Sequence, residues 1–211
     1  TPLAVIKGTM EVLIRKPRNQ QEYEEKITFC ISEVDRLNHM VDQLLLLARF
    51  ENQKQNVKQE SIFLNALVLD NLARFSERTE IKKIKIQTKF DDDYYLISDN
   101  YLVSIIISNL ISNAIKYSND NSNIVISLSN TSDQILFVIK DNGIGISEDS
   151  LEKVFNSFYR SDVSNHPEIK GTGLGLSIVK RLCELLKIKI AISSSIGVGT
   201  EVKLIFNNNP K

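Results

Sequence analysis

Apolar residues in the N-terminal quarter of the chain recur every three or four positions, which is the period of an amphipathic helix. The first stripe consists of Leu3, Ile6, Met10 and Leu13, and Pro17 ends its helix. A second stripe lies in a segment without Gly or Pro from Gln20 to Glu51; it consists of Ile27, Ile31, Val34, Leu37, Val41, Leu44 and Ala48. Two helices joined by a tight turn form an antiparallel hairpin, which cannot enclose its own apolar seam. We therefore expect a second copy of the chain to complete a four-helix bundle.

The pattern changes after a polar linker at residues 53–60, which separates the hairpin of residues 1–52 from a second domain of residues 61–211. In the second domain, Asp99 is an expected helix cap. The apolar periods there predict helices at residues 64–79, 100–117 and 172–186, and strands at 84–90, 94–97, 123–129, 134–140, 189–192 and 201–206. This mixture predicts an α+β fold, an α/β sandwich in which one mixed sheet is covered by helices on one face.

Composition narrows the possible functions. The 211 residues are 42% hydrophobic, which suffices for one core and an accessory element. The 26 basic and 26 acidic residues cancel, so no bulk charge favours nucleic acid. Cys30 and Cys183 have no metal-binding spacing, and we expect both to be reduced and buried. No apolar run approaches the ~20 residues of a membrane span. The chain begins at Thr1 without Met, so we expect a cytoplasmic piece of a longer protein whose membrane anchor lies outside it.

One predicted helix combines buried apolar residues with polar residues that need partners. Asn109, Asn113, Lys116 and Tyr117 stand at i, i+4, i+7 and i+8, which places them on one helical stripe. Leaving such groups buried and unpaired costs about 1–3 kcal/mol each. Two interpretations remain open: the side chains bond to loop carbonyls, or they bind phosphate oxygens and a metal ion.

Seven of the 8 glycines fall into three groups after residue 140. The groups lie at residues 141–145, 171–176 and 197–200. The second group leads directly into a helix, whose N-terminal N–H groups favour an anion. It is not a P-loop, because Leu176 and Ser177 follow Gly175. It is not a Rossmann fingerprint either, because residues 161–170 form a polar, Pro-containing loop rather than a strand. A mobile lid hinged on glycines fits this segment better, whereas the third group is equally typical of an ordinary hairpin turn.

Four motifs together resemble a known family. They are N-L-I-S-N-A-I-K-Y at 109–117, D-N-G-I-G-I at 141–146, F-N-S-F-Y-R at 155–160 and G-T-G-L-G-L at 171–176. In this order and spacing they resemble the N, G1, F and G2 boxes of the sensor histidine kinases of two-component systems. Thr1-Pro2-Leu3 resembles the end of that family's H-E-x-[RK]-T-P-L box. Any one box is weak, but four in order after a helical hairpin are specific.

The resemblance implies a homodimeric hairpin followed by an ATP-binding sandwich. It implies that Asn113 coordinates Mg²⁺, that Asn109 lies at the phosphates and that Lys116 neutralises their charge. It also implies that Tyr117 packs beside the nucleotide and that Asp141 accepts a hydrogen bond from the exocyclic amine of adenine. We expect Phe155 and Phe158 to anchor the lid in the core. The other residues placed around the nucleotide are Gly143, Gly145, Ile146, Tyr159, Arg160, Gly171, Thr172, Gly173, Leu174, Gly175, Leu176 and Thr200.

The same sandwich serves gyrase-type, mismatch-repair and chaperone ATPases, in which a Glu four residues before the Mg-binding Asn activates water. Asn109 stands at that position here, and an amide cannot act as a general base. This favours transfer to a histidine and then to an aspartate of a response regulator receiver domain. An ATP-hydrolysing clamp and a degenerate nucleotide-binding signalling module are the alternatives.

The phosphoacceptor histidine of the family would fall four residues before Thr1. His39 and His166 are poor substitutes, because the first lies mid-helix among apolar residues and the second lies in the lid. Thr1 matches the position that the family associates with dephosphorylation of the response regulator. We therefore expect this chain to bind Mg-ATP without phosphorylating itself.

Overall fold

The computed structural model describes residues 2–51, 57–131, 134–161, 169 and 171–207. They belong to two compact units, one within residues 1–55 and the other within residues 56–211. Among the residues so described, no helix is long and apolar enough to cross a membrane.

The first unit is a helical hairpin. Helix α1 spans Pro2–Ile14 and contacts helix α2, which spans Gln20–Glu51. Asn19 caps α2, because its Oδ1 accepts a hydrogen bond from the Glu22 N–H at 2.8 Å. Within the hairpin, Leu13 and Cys30 are buried. Much of the predicted apolar seam is exposed in the single chain; these residues are Leu3, Met10, Ile27, Ile31, Val34, Val41 and Leu44.

The second unit is built on a mixed five-stranded sheet. Its strands are β2 (Lys85–Phe90), β4 (Asn123–Thr131), β5 (Gln134–Asp141), β6 (Lys189–Ser195) and β7 (Gly199–Asn207), in the order β2-β4-β5-β7-β6. The β2–β4 pair is parallel and the other pairs are antiparallel. The alternating burial of β5 turns Phe137 and its i±2 neighbours into the core.

Helices and a small second sheet complete this unit. Helices α5 (Asn100–Tyr117) and α7 (Gly175–Leu186) contact each other, and α5 also contacts β5 and α3 (Leu64–Ala73). Short elements follow α3 and precede α7: α4 (Ser76–Ile81), α6 (Glu148–Leu151) and a 3₁₀ turn (Lys153–Phe155). Strands β1 (Glu60–Phe63) and β3 (Tyr95–Ser98) form an antiparallel pair. The predicted hairpin and helix-covered mixed sheet are therefore confirmed, and both cysteines are buried as expected.

Two expected boundaries were wrong, and one strand was missed. The single helix at 64–79 is two helices, because the chain leaves the helical conformation at Phe75, with φ −110° and ψ 8°. The helix expected from Thr172 begins at Gly175, because Gly173 takes a φ of 75°, outside the range of a right-handed helix. Strand β1 was not predicted, since its four residues bury only Ile62 and show too short an alternation to detect.

Candidate functional site

Helix α5 presents one apolar and one polar face. The Asp99 Oδ1 accepts a hydrogen bond from the Leu102 N–H at 3.1 Å and so caps the helix start, as predicted. Eight buried residues hold the helix in the core; these are Leu102, Val103, Ile106, Ile107, Leu110, Ile111, Ala114 and Ile115. The four residues of the polar stripe, by contrast, are half-buried. They are Asn109, Asn113, Lys116 and Tyr117. The helix therefore fixes them on a stable scaffold while leaving part of each side chain accessible.

The first turn of α7 approaches the two asparagines closely. A Cβ built on Gly175 would lie 2.9 Å from the Asn109 Oδ1 and 3.8 Å from the Asn113 Nδ2. The Asn109 Nδ2 donates to the Ile105 carbonyl at 2.9 Å, which leaves its oxygen facing α7. Among the residues that the structure describes, neither the Asn109 Oδ1 nor the Asn113 amide has a hydrogen-bond partner. The Asn109 oxygen and the Asn113 amide are thus available to a ligand near the start of α7.

Two cationic side chains lie near the C-terminal end of α5, and one of them lies against the glycine segment. A Cβ on Gly171 would lie 2.1 Å from the Lys116 Nζ, so the ammonium group lies against that residue. The Lys116 Nζ also donates to the Tyr117 hydroxyl at 3.1 Å. Burial raises the pKa of Tyr117, while the positive charge of Arg160 acts in the opposite direction. The positive charge of Lys116 therefore lies against the segment that leads into α7, which is an arrangement suited to phosphate.

Asp141 ends β5 and is almost fully buried, with 7% exposure. Its Oδ1 accepts hydrogen bonds from the Gly143 N–H at 2.9 Å and the Thr200 N–H at 3.2 Å. Burial raises the pKa of Asp141 to about 6, although these two bonds act to lower it. The Oδ2 makes no hydrogen bond to the described part of the chain, so it can accept one from a ligand.

The segment after Asp141 is joined to the end of α5. The Ile144 N–H donates to the Tyr117 carbonyl at 3.1 Å, and Ser118 pairs with Gly143 in an isolated β-bridge. A Cβ on Gly143 would lie 2.2 Å from the Tyr117 oxygen, so only glycine permits this approach. The segment that follows Asp141 thus contacts the C-terminal end of α5, the same helix that carries the two asparagines.

Ser194 was not identified from the sequence, although it ties two loops together. The Ile146 N–H donates to its Oγ at 2.9 Å, and that Oγ lies 2.8 Å from both the Gly199 carbonyl oxygen and the Thr200 Oγ1. The serine stands in a run of three serines at residues 193–195, and no sequence signal separates it from its neighbours. The third glycine group is therefore part of the site's framework as well as a hairpin turn.

The hairpin offers a matched pair of glycines for a test of this framework. A Cβ on Gly199 (φ 125°) would lie 2.0 Å from the Asp141 carbonyl oxygen, whereas Gly197 (φ 73°) has nothing within 4 Å. We expect Gly199→Ala to lower the free energy of unfolding by about 3 kcal/mol or more, because strain and overpacking add. Gly197→Ala should cost about 1 kcal/mol from backbone strain alone. Urea denaturation measures both, and equal losses would contradict the close packing at Gly199.

The remaining predicted residues lie around the start of α7. The Phe158 N–H donates to the Gly173 carbonyl at 2.9 Å, and the Thr172 Oγ1 accepts from the Leu174 N–H at 3.2 Å. Leu174 is fully buried, so its side chain belongs to the core, while Leu176 is half-buried. The expectation of a buried Phe158 was wrong, because this side chain is 62% exposed at a φ of 65°.

Two further side chains beside α7 are engaged by protein groups. The Tyr159 hydroxyl donates to the Ser150 Oγ in α6 at 3.0 Å, and the Arg160 guanidinium donates to the Ile169 carbonyl. Gly145, at a φ of 72°, would clash with the Ser195 carbonyl if it carried a Cβ. Thr1, His166 and the side chain of His39 lie outside the described residues.

The donor set suits magnesium better than a transition metal. Within the described ranges, no group of three or more His, Cys, Asp or Glu could hold a metal ion. Magnesium usually takes only one or two protein oxygens and keeps water and substrate phosphates as its other ligands. The half-buried Asn113 amide carries such an oxygen and has no partner among the described residues, and its Nδ2 would lie 3.8 Å from a Cβ on Gly175 at the start of α7.

Comparisons with known proteins identify two family models that match the chain. Residues 98–210 match the family model described as histidine kinase-, DNA gyrase B- and HSP90-like ATPase, and residues 1–53 match the His Kinase A (phospho-acceptor) domain. The chain is 31% identical over 188 residues to sensor protein kinase GraS of Staphylococcus aureus, covering 89% of this chain and 54% of that protein. The chain thus spans about half the length of the curated relatives it matches.

Solved structures show the same fold. Histidine kinase ThkA in complex with response regulator protein TrrA matches with a TM-score of 0.80 at 21% identity, covering 100% of this chain and 58% of that one. Full-length ShkA in complex with AMPPNP matches with a TM-score of 0.77 at 20% identity, covering 100% of this chain and 47% of that one.

Proposed function

Because the chain belongs to the sensor histidine kinases, within the wider family of histidine kinase-, DNA gyrase B- and HSP90-like ATPases, we propose that it is a kinase catalytic core. It binds Mg-ATP and transfers the γ-phosphoryl group to a histidine, from which the group passes to an aspartate of a response regulator. The observation that carries this proposal is the meeting of the Asn109 and Asn113 amides with the first turn of α7 at Gly175.

The adenine binds at one end of the site and the phosphates bind at the other. At the buried end, the ionised Asp141 accepts a hydrogen bond from the exocyclic amine of adenine, which a guanine carbonyl could not donate. At the other end, Lys116 and Arg160 neutralise phosphate charge, and the N–H groups of the glycine segment and α7 bind phosphate oxygens. When bound through Asn113, Mg²⁺ offsets negative charge that develops on the transferred group. These residues position the reactants and carry no covalent step.

Transfer rather than hydrolysis is supported by the absence of a base at position 109. The Asn109 Nδ2 donates to the Ile105 carbonyl, and an amide cannot remove a proton from water near neutral pH. We place the accepting histidine four residues before Thr1 in a longer chain, and give Thr1 a role in dephosphorylating the response regulator. The domain division is proposed as residues 1–52, 53–60 and 61–211.

The partners follow from the same proposal. The exposed apolar seam of the hairpin binds a second copy of this chain, and a receiver domain binds the phosphorylated dimer. The ThkA–TrrA complex supports a receiver domain as the partner, and the AMPPNP complex of ShkA supports an adenine nucleotide as the ligand. The parent protein is proposed to be anchored in the cytoplasmic membrane, with this part in the cytoplasm.

Phosphoryl transfer in trans tests the function. This chain is mixed with a longer copy that contains the accepting histidine but carries Asn113→Ala, so that nearly all of the label comes from the shorter chain. With γ-labelled ATP we expect label on the longer copy, and none when its accepting histidine is replaced by Gln. Label released as inorganic phosphate without any labelled protein would support the clamp instead. Failure to bind Mg-ADP would support a degenerate signalling module.

Nucleotide affinity should depend on pH through Asp141. Because burial raises the pKa of Asp141 to about 6, its carboxyl group becomes protonated as the pH falls through that value and loses the charge that attracts the adenine amine. We expect ADP affinity to fall about tenfold between about pH 7 and pH 5, which follows from the ionised fraction. Calorimetry measures it, with Mg-pyrophosphate as the control for phosphate ionisation. The same pH dependence for ADP and pyrophosphate would contradict a role for Asp141.

A further inference from the structure

The C-terminal end of α5 is held by a lysine that belongs to none of the motifs. Lys82 directly follows α4, about thirty residues earlier in the chain than the helix end it contacts. Its Nζ lies 3.1 Å from the Ile115 carbonyl oxygen, 3.1 Å from that of Lys116 and 2.8 Å from that of Ser118. An ammonium group has three N–H donors, so these carbonyls use all of them.

These bonds complete the pairing of the helix end. The last four carbonyls of a helix have no partner inside it. Here the Ala114 carbonyl accepts from the helix cap at 3.0 Å, and the Tyr117 carbonyl accepts from the Ile144 N–H at 3.1 Å. Lys82 satisfies the two carbonyls between them and the one that follows. Its charge is also favoured by the partial negative charge at a helix C-terminus.

The position of this helix end matters to both ends of the candidate site. The Lys116 Nζ lies against Gly171 in the glycine segment before α7. The Tyr117 carbonyl is bonded to Ile144, three residues after Asp141 in the chain. A shift of the last turn of α5 therefore moves the phosphate side and the adenine side together.

We propose that Lys82 is a positioning residue for nucleotide binding. It does not touch the nucleotide; it acts through Lys116 and Tyr117 by holding the last turn of α5. This inference rests on the proposed binding of Mg-ATP.

The dissociation constant for Mg-ADP tests the proposal in protein that is fully folded. Lys82→Met should raise that constant at least tenfold at a temperature well below the unfolding transition. Lys89→Met, which removes an exposed lysine from β2, should leave it unchanged. A merely structural lysine would lower the unfolding temperature of Lys82→Met without changing the dissociation constant, and that result would overturn the proposal.

Chemical rescue separates the ammonium group from other effects of the substitution. Lys82→Cys alkylated with 2-bromoethylamine regains a terminal ammonium at nearly the original length, and should recover most of the affinity. The same variant alkylated with iodoacetamide should not recover it. Both native cysteines, Cys30 and Cys183, are buried, which favours selective reaction at the new site. Equal affinity after the two treatments would overturn the proposal.

A double variant tests the route through Lys116. If Lys82 acts by placing Lys116, the losses of affinity in Lys82→Met and Lys116→Met should be clearly less than additive when combined. Fully additive losses would overturn this route. A wild-type chain that does not bind Mg-ADP would instead overturn the proposed function, so the two failures are distinguishable.

Discussion

Replacing Asn113 with Ala is expected to lower the rate of phosphoryl transfer by about 10²–10³-fold, the usual cost of removing one electrostatic contact in such a site. It should also remove the Mg²⁺ dependence of ADP binding. The amide is half-buried beside Gly175 and has no partner among the described residues, so its loss removes a ligand contact without breaking a protein hydrogen bond. Label transfer to the longer copy measures the first effect, and calorimetry with and without Mg²⁺ measures the second.

The matched control is Asn130→Ala, which removes an exposed asparagine from β4. It should change neither quantity, and both variants should unfold at nearly the same urea concentration as the wild type. If Asn113→Ala instead unfolds more easily and keeps its Mg²⁺-dependent binding, the amide stabilises the fold and is not a metal ligand.

Replacing Ile31 with Glu is expected to raise the dissociation constant of the homodimer by at least about 100-fold, because a symmetric interface would bury the added charge twice. Ile31 lies on the apolar seam of α2 and is 56% exposed in the single chain. An exposed apolar stripe of this size is typical of a protein–protein interaction surface. Analytical ultracentrifugation across a dilution series measures the change.

Ser32→Glu provides the control for added charge. Ser32 is exposed and stands one residue further along α2, about 100° around the helix from the seam position. This variant should remain dimeric at concentrations at which Ile31→Glu is monomeric. Equal dissociation of both variants would mean that net charge, rather than the seam, controls association.

The sequence predicted the structure best where the type of a single residue determines where a helix begins or ends. The absence of Gly and Pro gave the extent of α2, and the position of Asp99 gave the start of α5. Periodicity also predicted the strands β4, β5, β6 and β7, because apolar and polar residues alternate there. Within the candidate site, the resemblance implied that the amides of α5 and the glycine segment surround one nucleotide. The structure places Asn109 and Asn113 next to Gly175.

The features that were missed depend on contacts between distant backbone atoms. Lys82 looks like any surface lysine, because its partners are carbonyls whose position only the fold determines. Ser194 is similar, since its partners lie in a loop that precedes it by about 48 residues and in the next strand. The break between α3 and α4 follows no Gly or Pro, so tertiary packing overrides a helical period there. The exposed Phe158 takes a positive φ that propensity would not assign to an aromatic residue.

The buried carboxyl group of Asp141 has a consequence for the ligand-free protein. Burial raises the pKa of Asp141 from 3.8 to about 6 in the folded chain. The protonated carboxyl group therefore contributes its full share to the free energy of unfolding below about pH 4, and this contribution is lost as the pH rises through 6. At neutral pH the folded chain therefore carries a penalty of about 3 kcal/mol for holding this negative charge out of water. A hydrogen-bond donor that reaches the Asp141 carboxylate relieves part of the penalty, so resistance to heat should rise most on nucleotide addition in neutral or alkaline solution.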